Sequence, residues 1–242
     1  MRYKLTLSYD GSNYSGFQIQ KDKDTIQKRI EGALSVVLQD AISIVACGRT
    51  DAGVSAIECI CHFDHDEISI GRTIGYANNL LPEDIRINKI EIVDEDFHAR
   101  YSAKKKTYSY FFYVDGEIPV FEKFATNIGY NIDIENMKRA CKYFEGENDF
   151  SAFCASNTSV KDKVRIIYSA DIIEMGDNLY KFEITGNGFL YNMVRIIMGT
   201  LVMVGRNKIS ISDIENIINS KNRSLSGKTM PSKGLFLKKV YY

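Results

Sequence analysis

Alternating and helical spacings of apolar residues divide the first half of the chain into predicted strands and helices. Residues 2–9 alternate between polar and apolar positions, so they predict a strand that ends at a turn. A helix follows, because apolar residues recur on one face at Ile26, Ile30, Leu34, Val37 and Leu38. Asp24 or Thr25 is placed as its N-cap, and Gln27 as the second member of a capping box. The remaining elements of this half are strands at 42–47 and 54–63, a helix at 72–81 and a strand at 86–93.

The second half shows the same mixture of spacings. It predicts a strand at 106–114, a helix at 134–144, a hairpin of 165–174 with 179–185, a helix near 212–219 and a strand at 234–240. Because strands and helices mix in both halves, we expect a mixed α/β (α+β) fold. The expected lobes are residues 1–102 and 103–242.

One long apolar run in the second half contains a single charge. Arg195 is the only charged residue between positions 186 and 205, and residues 189–204 are apolar nearly all round, as in a helix buried inside a protein. A guanidinium keeps its proton, so it needs a carboxylate or phosphate partner there. A membrane span is the alternative, but the run is slightly short and carries Asn192 and Arg195 near its middle. An arginine at the helix rim, paired with an ordinary surface carboxylate, also fits.

The loop Gly48-Arg49-Thr50-Asp51-Ala52-Gly53-Val54 offers one carboxylate between two glycines. It lies between two predicted strands, and glycine permits backbone angles that other residues avoid, so a sharply shaped loop is expected. A plain β-turn, in which aspartate and glycine are only turn formers, is the alternative. Asp51 is the partner we expect for Arg195.

Composition bounds the class of protein. The chain has 242 residues, 45% of them hydrophobic and 26% charged, which is typical of a soluble globular protein. Five cysteines without the spacing of a disulfide framework, and a start that leads directly into a strand pattern, indicate the cytoplasm.

The net charge of zero hides an asymmetry between the two halves. Residues 1–100 carry 11 Lys and Arg against 16 Asp and Glu, whereas residues 101–242 carry 20 against 15. Phosphate binding requires a local positive face rather than a positive total. The asymmetry therefore permits RNA binding, but these charges also fit an ordinary solvated surface.

Short motifs in a fixed order resemble those of the TruA family of tRNA pseudouridine synthases. They are Tyr9-Asp10-Gly11, Tyr14-Ser15-Gly16, Gln18-Ile19-Gln20, the loop at 48–54, Asn79-Leu80-Leu81-Pro82 with Asp84-Ile85, Phe97-His98-Ala99-Arg100, Tyr108-Ser109-Tyr110, Asn148-Asp149-Phe150, Asn192-Met193-Val194-Arg195 and Gly234-Leu235-Phe236-Leu237. Each motif is weak alone, and the whole series in order is specific.

This resemblance implies a fold and an activity. The fold is the pseudouridine synthase fold, with two related ferredoxin-like lobes whose sheets join around a central cleft. The activity is conversion of uridine to pseudouridine at positions 38–40 in the anticodon stem and loop of tRNA, by a homodimer without metal or organic cofactor. A synthase with another RNA range, and a catalytically silent RNA-binding protein of the same fold, are the alternatives.

The resemblance also assigns roles to residues. Asp51 matches the catalytic aspartate, Arg195 its ionic partner, and Tyr108 the active-site tyrosine that stacks on uracil and helps to remove the C5 proton. Without the resemblance, the sequence favours an ordinary strand aromatic at Tyr108. The implied substrate-binding residues are Arg49 in the space left by a flipped base, Leu235 in the uracil pocket, and Lys104, Lys105 and Lys106 at phosphates.

Two departures from the family pattern stand close to the loop. Ser55 replaces the usual histidine, and Phe17 replaces a frequent tryptophan. Neither is an obvious reacting group, so both affect either the packing of the loop or the way RNA is held.

The stretch from Cys59 to His65 also invites a metal-site interpretation, because thiolates and imidazoles bind zinc. Strand alternation argues against it: Cys59 and Cys61 share one face, and His62 lies on the other. We therefore expect buried cysteines and no metal.

Overall fold

The structure is a computed structural model that describes residues 1–116, 118–156 and 160–242. The chain forms two compact units. Unit 1 contains residues 1–104 and 236–242, and unit 2 contains residues 105–235. Both units mix helices with a β-sheet, so the mixed α/β prediction is confirmed.

Unit 1 begins with two strand–helix–strand segments. Its elements are β1 (Arg2–Tyr9), α1 (Ile26–Leu38), β2 (Val45–Ala46), β3 (Ser55–Asp64), α2 (Ile70–Leu80) and β4 (Ile85–Val93). Strand β1 lies between β3 and β4 and is antiparallel to both, and β2 pairs with β3. The resulting order β4-β1-β3-β2 is the ferredoxin-like arrangement.

One face of this sheet carries the core of unit 1. In the β1–β3 pair, Tyr3 lies opposite Phe63 and Leu5 opposite Cys61. Leu7 lies opposite Cys59 in the same pair, and all six side chains are buried. Antiparallel partners point to the same side of a sheet, so the cysteines belong to this apolar layer.

The capping prediction for α1 was wrong in one respect. Thr25 is the N-cap, and its hydroxyl accepts a hydrogen bond from the Lys28 amide at 3.4 Å. Gln27 therefore lies one position too early for a capping box. Its side chain instead accepts from the Ile19 amide at 3.2 Å and donates to the Ile44 carbonyl at 3.3 Å, so it joins the helix to both flanking segments.

Unit 2 is built around a strongly paired hairpin. Its strands are β5 (Lys105–Tyr113), β6 (Thr126–Asn127), β7 (Gly146–Asp149), β8 (Val164–Gly176) and β9 (Leu179–Gly186), and its helices are α3 (Ile134–Cys141), α4 (Met193–Gly205) and α5 (Asp213–Ser220). The sheet order within the unit is β5-β9-β8-β7. Asp177 and Asn178, with φ of 51° and 59°, form the tight turn between β8 and β9, as in a type I′ hairpin.

Helix α4 is shorter than the apolar run that predicts it. Residues 189–204 predict the helix, but it begins at Met193 because Asn192 takes a left-handed φ of 59°. All of its residues except Arg195 and Met203 are buried. Among residues 1–116, 118–156 and 160–242, no helix has the length and apolar character needed to cross a bilayer.

The last strand, β10 (Leu235–Tyr241), returns to unit 1. Phe236 and Leu237 pair in parallel with Ser55 and Ala56 of β3, and the Lys104 amide donates to the Tyr241 carbonyl at 2.8 Å. The sequence pattern placed this strand with the second lobe. Its partners on β3 are fixed by hydrogen bonding between strands far apart in the chain, which a local pattern does not report.

Candidate active site

The loop 48–54 connects β2 to β3 in unit 1 and carries Asp51. Thr50 is buried, Asp51 is half-buried and Arg49 is exposed. The Val54 amide donates to the Asp51 carbonyl at 3.1 Å, and Gly53 has a φ of 76°, so the chain turns sharply directly after Asp51. Asp51 and Gly53 therefore act as turn formers, as in the β-turn alternative. The turn is also sharp, as expected from the two glycines.

Residues 9–17 hold this loop from one side. The Phe17 amide donates to the Thr50 carbonyl at 3.0 Å, and the Gly53 amide donates to the Tyr14 carbonyl at 3.4 Å. The hydroxyl of Tyr9 lies 2.8 Å from that of Thr50, and the two share a buried hydrogen bond. The backbone on both sides of Asp51 is therefore tied to the same segment.

Two glycines make this close approach possible. A Cβ added to Gly11 would lie 2.0 Å from the Val54 carbonyl oxygen, and one added to Gly16 would lie 2.9 Å from the Thr50 carbonyl oxygen. Gly16 also has a φ of +92°, a conformation that residues with side chains rarely adopt. The motifs at 9–11 and 14–16 thus have a structural explanation: they pack backbone against backbone beside Asp51.

Both departures from the family pattern lie inside this packing. Ser55 is 2% exposed, and its hydroxyl accepts a hydrogen bond from the Gly11 amide at 3.0 Å. Phe17 is also 2% exposed, with its ring 6.1 Å from that of Tyr9. Because both side chains are buried in unit 1, they shape the support of the loop rather than a surface that could contact RNA.

In unit 2, Arg195 lies on the first turn of α4 and is half-buried. Its Nε donates to the Met230 carbonyl at 2.6 Å, and its Nη1 donates to the Asn192 side-chain oxygen at 2.8 Å. The Met230 amide donates back to the Arg195 carbonyl at 3.2 Å. These contacts fix the direction of the guanidinium within its own unit.

A buried tyrosine lies close to this guanidinium. The Tyr110 hydroxyl lies 2.9 Å from both the Thr126 hydroxyl and the Pro231 carbonyl. Burial raises the pKa of Tyr110 to about 12. The hydrogen bond with Thr126 and the charge of Arg195 both act to lower this pKa, but burial has the larger effect. Tyr110 therefore stays protonated and serves as a structural donor at neutral pH.

Tyr108 is half-buried on β5, opposite Ile184 of β9. Its ring meets that of Phe189 edge to face, with centroids 5.1 Å apart and an angle of 80° between the planes. Phe189 lies in the segment 187–192 that joins β9 to α4, and Asn192 of the same segment contacts Arg195. One short segment therefore contacts both Tyr108 and Arg195.

The remaining predicted site residues are distributed between the two units. Arg49 lies on the same loop as Asp51. Lys104 is exposed and is the last residue of the segment 1–104 of unit 1. Lys105 is exposed and Lys106 is half-buried at the start of β5, and Leu235 is buried at the start of β10; these three belong to unit 2.

The cysteine and histidine residues of β3 have structural contacts. The Cys47 and Cys59 sulfurs are 3.9 Å apart, and His62 Nδ1 accepts from the Ala99 amide at 3.2 Å. Burial lowers the pKa of His62, which keeps the ring neutral. Cys61 lies opposite Leu5 and His62 opposite Lys4, so they face opposite ways, as alternation predicts. Across the described part of the chain, no group of three or more His, Cys, Asp or Glu is arranged to hold a metal ion.

Sequence reasoning gave no role to the residues that support the predicted site. Tyr9, Tyr14 and Asp84 hold the Asp51 loop or its neighbours, and Phe189 and Asn192 contact Tyr108 and Arg195. All five occur within or beside the motifs, so the signal was present. The role of each residue becomes clear only in the folded structure, where the residues that it contacts are known.

Comparison with known proteins gives a consistent result. The family described as tRNA pseudouridine synthase matches residues 6–102 and 140–242. A tRNA pseudouridine synthase A from Bacillus subtilis (strain 168) is 45% identical over 246 residues, which covers 100% of this chain and 99% of that protein. Another, from Ruminiclostridium cellulolyticum, is 44% identical over 243 residues, with 100% and 99% covered. The archaeal box H/ACA sRNP Nop10-Cbf5 complex is a weaker structural match, with a TM-score of 0.41, 12% identity, and 84% of this chain and 43% of that chain covered.

The extent of these sequence matches, across both units, defines the class of protein. The chain belongs to the tRNA pseudouridine synthase family, and its relatives include enzymes named tRNA pseudouridine synthase A. The fold is accordingly the pseudouridine synthase fold. The family match leaves out residues 103–139, which include Tyr108, whereas the full-length relatives cover them.

Proposed function

We propose that this protein is an isomerase that converts uridine to pseudouridine in tRNA. One observation carries the proposal: the 45% identity to a tRNA pseudouridine synthase A extends over 100% of the chain. The structure adds a half-buried aspartate on a loop tied at both ends, which is a suitable place for a reacting carboxylate.

The reaction breaks one bond and forms another without net gain or loss of atoms. The N1–C1′ glycosidic bond of uridine breaks, the uracil turns, and C5 bonds to C1′. C5 then releases its proton to solvent, and N1 ends with a proton. Positive charge grows at C1′ during the first step, so a carboxylate close to the ribose accelerates it, as in glycosidases.

We assign this carboxylate to Asp51. Either its oxygen attacks C1′ and forms a covalent glycosyl ester, or it takes a proton from the ribose. Both routes require the carboxylate to be ionised and held in one direction. The hydrogen bonds from Phe17 and Gly53, on either side of Asp51, support the second requirement.

Arg195 and Tyr108 are the other proposed catalytic residues. Arg195 acts as the cation that keeps Asp51 ionised. Its Nε and Nη1 contacts to Met230 and Asn192 hold the guanidinium in one position within its own unit. Tyr108 stacks on the uracil and helps to remove the C5 proton. The edge-to-face contact with Phe189 supports a fixed orientation for its ring.

The proposed RNA contacts follow the same resemblance. Arg49 is exposed beside Asp51, which suits a side chain that fills the space left by a flipped uridine. Leu235 lines the uracil pocket, and the lysines at 104–106 contact phosphates. We propose uridines 38–40 of the anticodon stem and loop as targets, and a homodimer in the cytoplasm as the working form.

Tritium release from tRNA labelled at uracil C5 tests the reaction, because forming the C5–C1′ bond expels that hydrogen. The matched control is Asp51→Asn, which keeps the volume of the side chain and removes its charge. Release by the wild type alone supports the reaction and the role of Asp51. Release by both proteins removes Asp51 from the mechanism, and tight tRNA binding without release favours a silent RNA-binding protein.

The same assay tests the position of the target. Transcripts with cytidine in place of uridine at 38–40 should release no tritium if these are the only targets. Unchanged release from such transcripts would show that the enzyme acts on other uridines, which is the altered-range alternative.

A further inference from the structure

Asp84 lies in the turn between α2 and β4, in a motif that the proposed reaction leaves unexplained. Its backbone carbonyl accepts from the Asp10 amide at 2.9 Å. Its carboxylate accepts from the Tyr14 hydroxyl at 2.5 Å and from the Asn13 side-chain amide at 3.4 Å. One residue on a distant turn therefore holds three residues of the segment that supports the loop 48–54.

Tyr14 connects this turn to the loop. Its side chain is 7% exposed and ends on Asp84, while its backbone carbonyl accepts from the Gly53 amide at 3.4 Å. Burial raises the pKa of Tyr14, and the hydrogen bond to Asp84 raises it further, so the hydroxyl remains a donor at neutral pH. A hydrogen bond to an ionised acceptor is shorter and stronger than one between neutral groups.

We propose that Asp84 is a positioning residue that acts through Tyr14 to fix the direction of the Asp51 carboxylate. Asp84 holds the Tyr14 ring, the Tyr14 backbone holds Gly53, and Gly53 is two residues after Asp51. Gly16, two residues after Tyr14, rests on the backbone of residues 50–52. Movement of Tyr14 is thus transmitted to both sides of Asp51. The kinetic consequence of this inference rests on the proposed function, whereas the contacts that support it do not.

Hydrogen exchange tests the positioning without any assay of activity. Mass spectrometry of a peptide spanning 48–54 reports the amides of Gly53 and Val54. In Tyr14→Phe and Asp84→Ala this peptide should exchange about tenfold faster than in the wild type, since a tie on the loop is lost. Glu83→Ala is the matched control, because Glu83 is the exposed neighbour in the same turn and should leave exchange unchanged. Wild-type exchange in both Tyr14→Phe and Asp84→Ala would overturn the proposal.

Steady-state kinetics then separate positioning from folding and from RNA binding. Both variants should lower kcat for tritium release about tenfold with KM nearly unchanged, since misplacing a reacting group affects the chemical step. Asp84→Asn should recover part of the loss because its amide oxygen still accepts from Tyr14. The double variant should be no slower than either single variant, because the two residues act as one unit.

The outcomes distinguish this inference from the proposed function. No tritium release by the wild type would refute the proposed function, and the exchange data would still decide the role of Asp84. Normal kcat in both Tyr14→Phe and Asp84→Ala, with an active wild type, would refute only the positioning role. A rise in KM as large as the fall in kcat would also refute it, because RNA binding would then be the property lost.

Discussion

Replacing Gly16 with alanine tests whether the loop 48–54 depends on close backbone packing. The new Cβ would lie 2.9 Å from the Thr50 carbonyl oxygen and 3.2 Å from the Ala52 amide nitrogen, so the backbone on one side must move by a few tenths of an ångström. The φ of +92° adds strain, since non-glycine residues in such regions cost about 1–3 kcal/mol. For a chain of this size, each kcal/mol lowers the melting temperature by about 2–4 °C. We therefore expect the melting temperature to fall by roughly 2–12 °C.

The activity of Gly16→Ala should fall further than its stability explains. Thr50 and Ala52 flank Asp51, so the required movement occurs at the proposed catalytic residue. The measurement is kcat for tritium release at a temperature at which thermal unfolding shows the variant to be fully folded. A fall of about tenfold or more is expected, because small displacements of reacting groups are costly.

Gly32→Ala is the matched control for Gly16→Ala. Gly32 lies exposed in the middle of α1, and a Cβ added there meets nothing within 4 Å. Because alanine is the better helix former, this variant should be more stable by roughly 0.5–1 kcal/mol and should keep wild-type kcat. If Gly16→Ala has the same melting temperature and kcat as Gly32→Ala, the loop 48–54 does not depend on close backbone packing at Gly16.

Three further predictions concern other parts of the chain. Arg195→Met should abolish tritium release. It should also destabilise unit 2 by about 1–3 kcal/mol, because the Met230 carbonyl loses its hydrogen-bond donor. Urea unfolding of this variant and of Arg195→Lys, a control that keeps the positive charge, measures the loss of stability. Alanine at the lysines 104–106 should weaken tRNA binding and flatten its salt dependence by about 0.7–0.9 in slope per lost phosphate contact, and filter binding with an unchanged slope would contradict it. Asp149 is partly buried, which opposes ionisation, yet its contact with Lys221 at 2.8 Å and hydrogen bonds from Ser151 lower its pKa from 3.8 to about 2. This contribution to stability is complete above about pH 5 and is lost progressively as the pH falls towards 2, so the stability difference between wild type and Lys221→Met should shrink over that window of acid unfolding.

The sequence predicts those elements whose buried face follows from a regular spacing of apolar residues. The apolar residues of α1 recur on one face, and Ile26, Ile30 and Leu34 are buried in the structure. Cys59 and Cys61 alternate with His62, and the strand registers place them on opposite faces. A period of 3.6 or 2 residues fixes which side chains share a face without any knowledge of the partner.

The strand predicted at 42–47 shows where a local repeat is insufficient. Only Val45 and Ala46 pair as a strand. The Ile42 amide donates to the Ser35 hydroxyl at 2.9 Å, and the Ile44 amide donates to the Glu31 carboxylate at 2.8 Å. The amides of Ile42 and Ile44 are thus bound by polar side chains of α1, and only the end of the segment pairs with β3. Apolar alternation reports burial, but it does not report which group accepts each amide.

The sequence suggests the reacting groups of the candidate site, which remain predictions, but it does not suggest the residues that support them. Asp51 stands out between two glycines, and Arg195 stands out as a lone charge in an apolar run. Gly16 and Asp84 do not stand out, because their roles arise from contacts with residues tens of positions away. Such contacts between residues far apart in the sequence form only in the folded chain. In the sequence, the order of the motifs was the only indication that these residues matter.

The return of β10 to unit 1 has a consequence for synthesis on the ribosome. Residues 236–242 complete unit 1 by pairing with Ser55 and Ala56 and by placing the Tyr242 hydroxyl 2.7 Å from the Ala99 carbonyl. Residues 105–235 are translated in between, which takes roughly 7–26 s at bacterial and eukaryotic elongation rates. During that interval part of β3, directly after the Asp51 loop, lacks its parallel neighbour and is open to other strands. The pairing of β3 is therefore complete only after residues 236–242 have been translated.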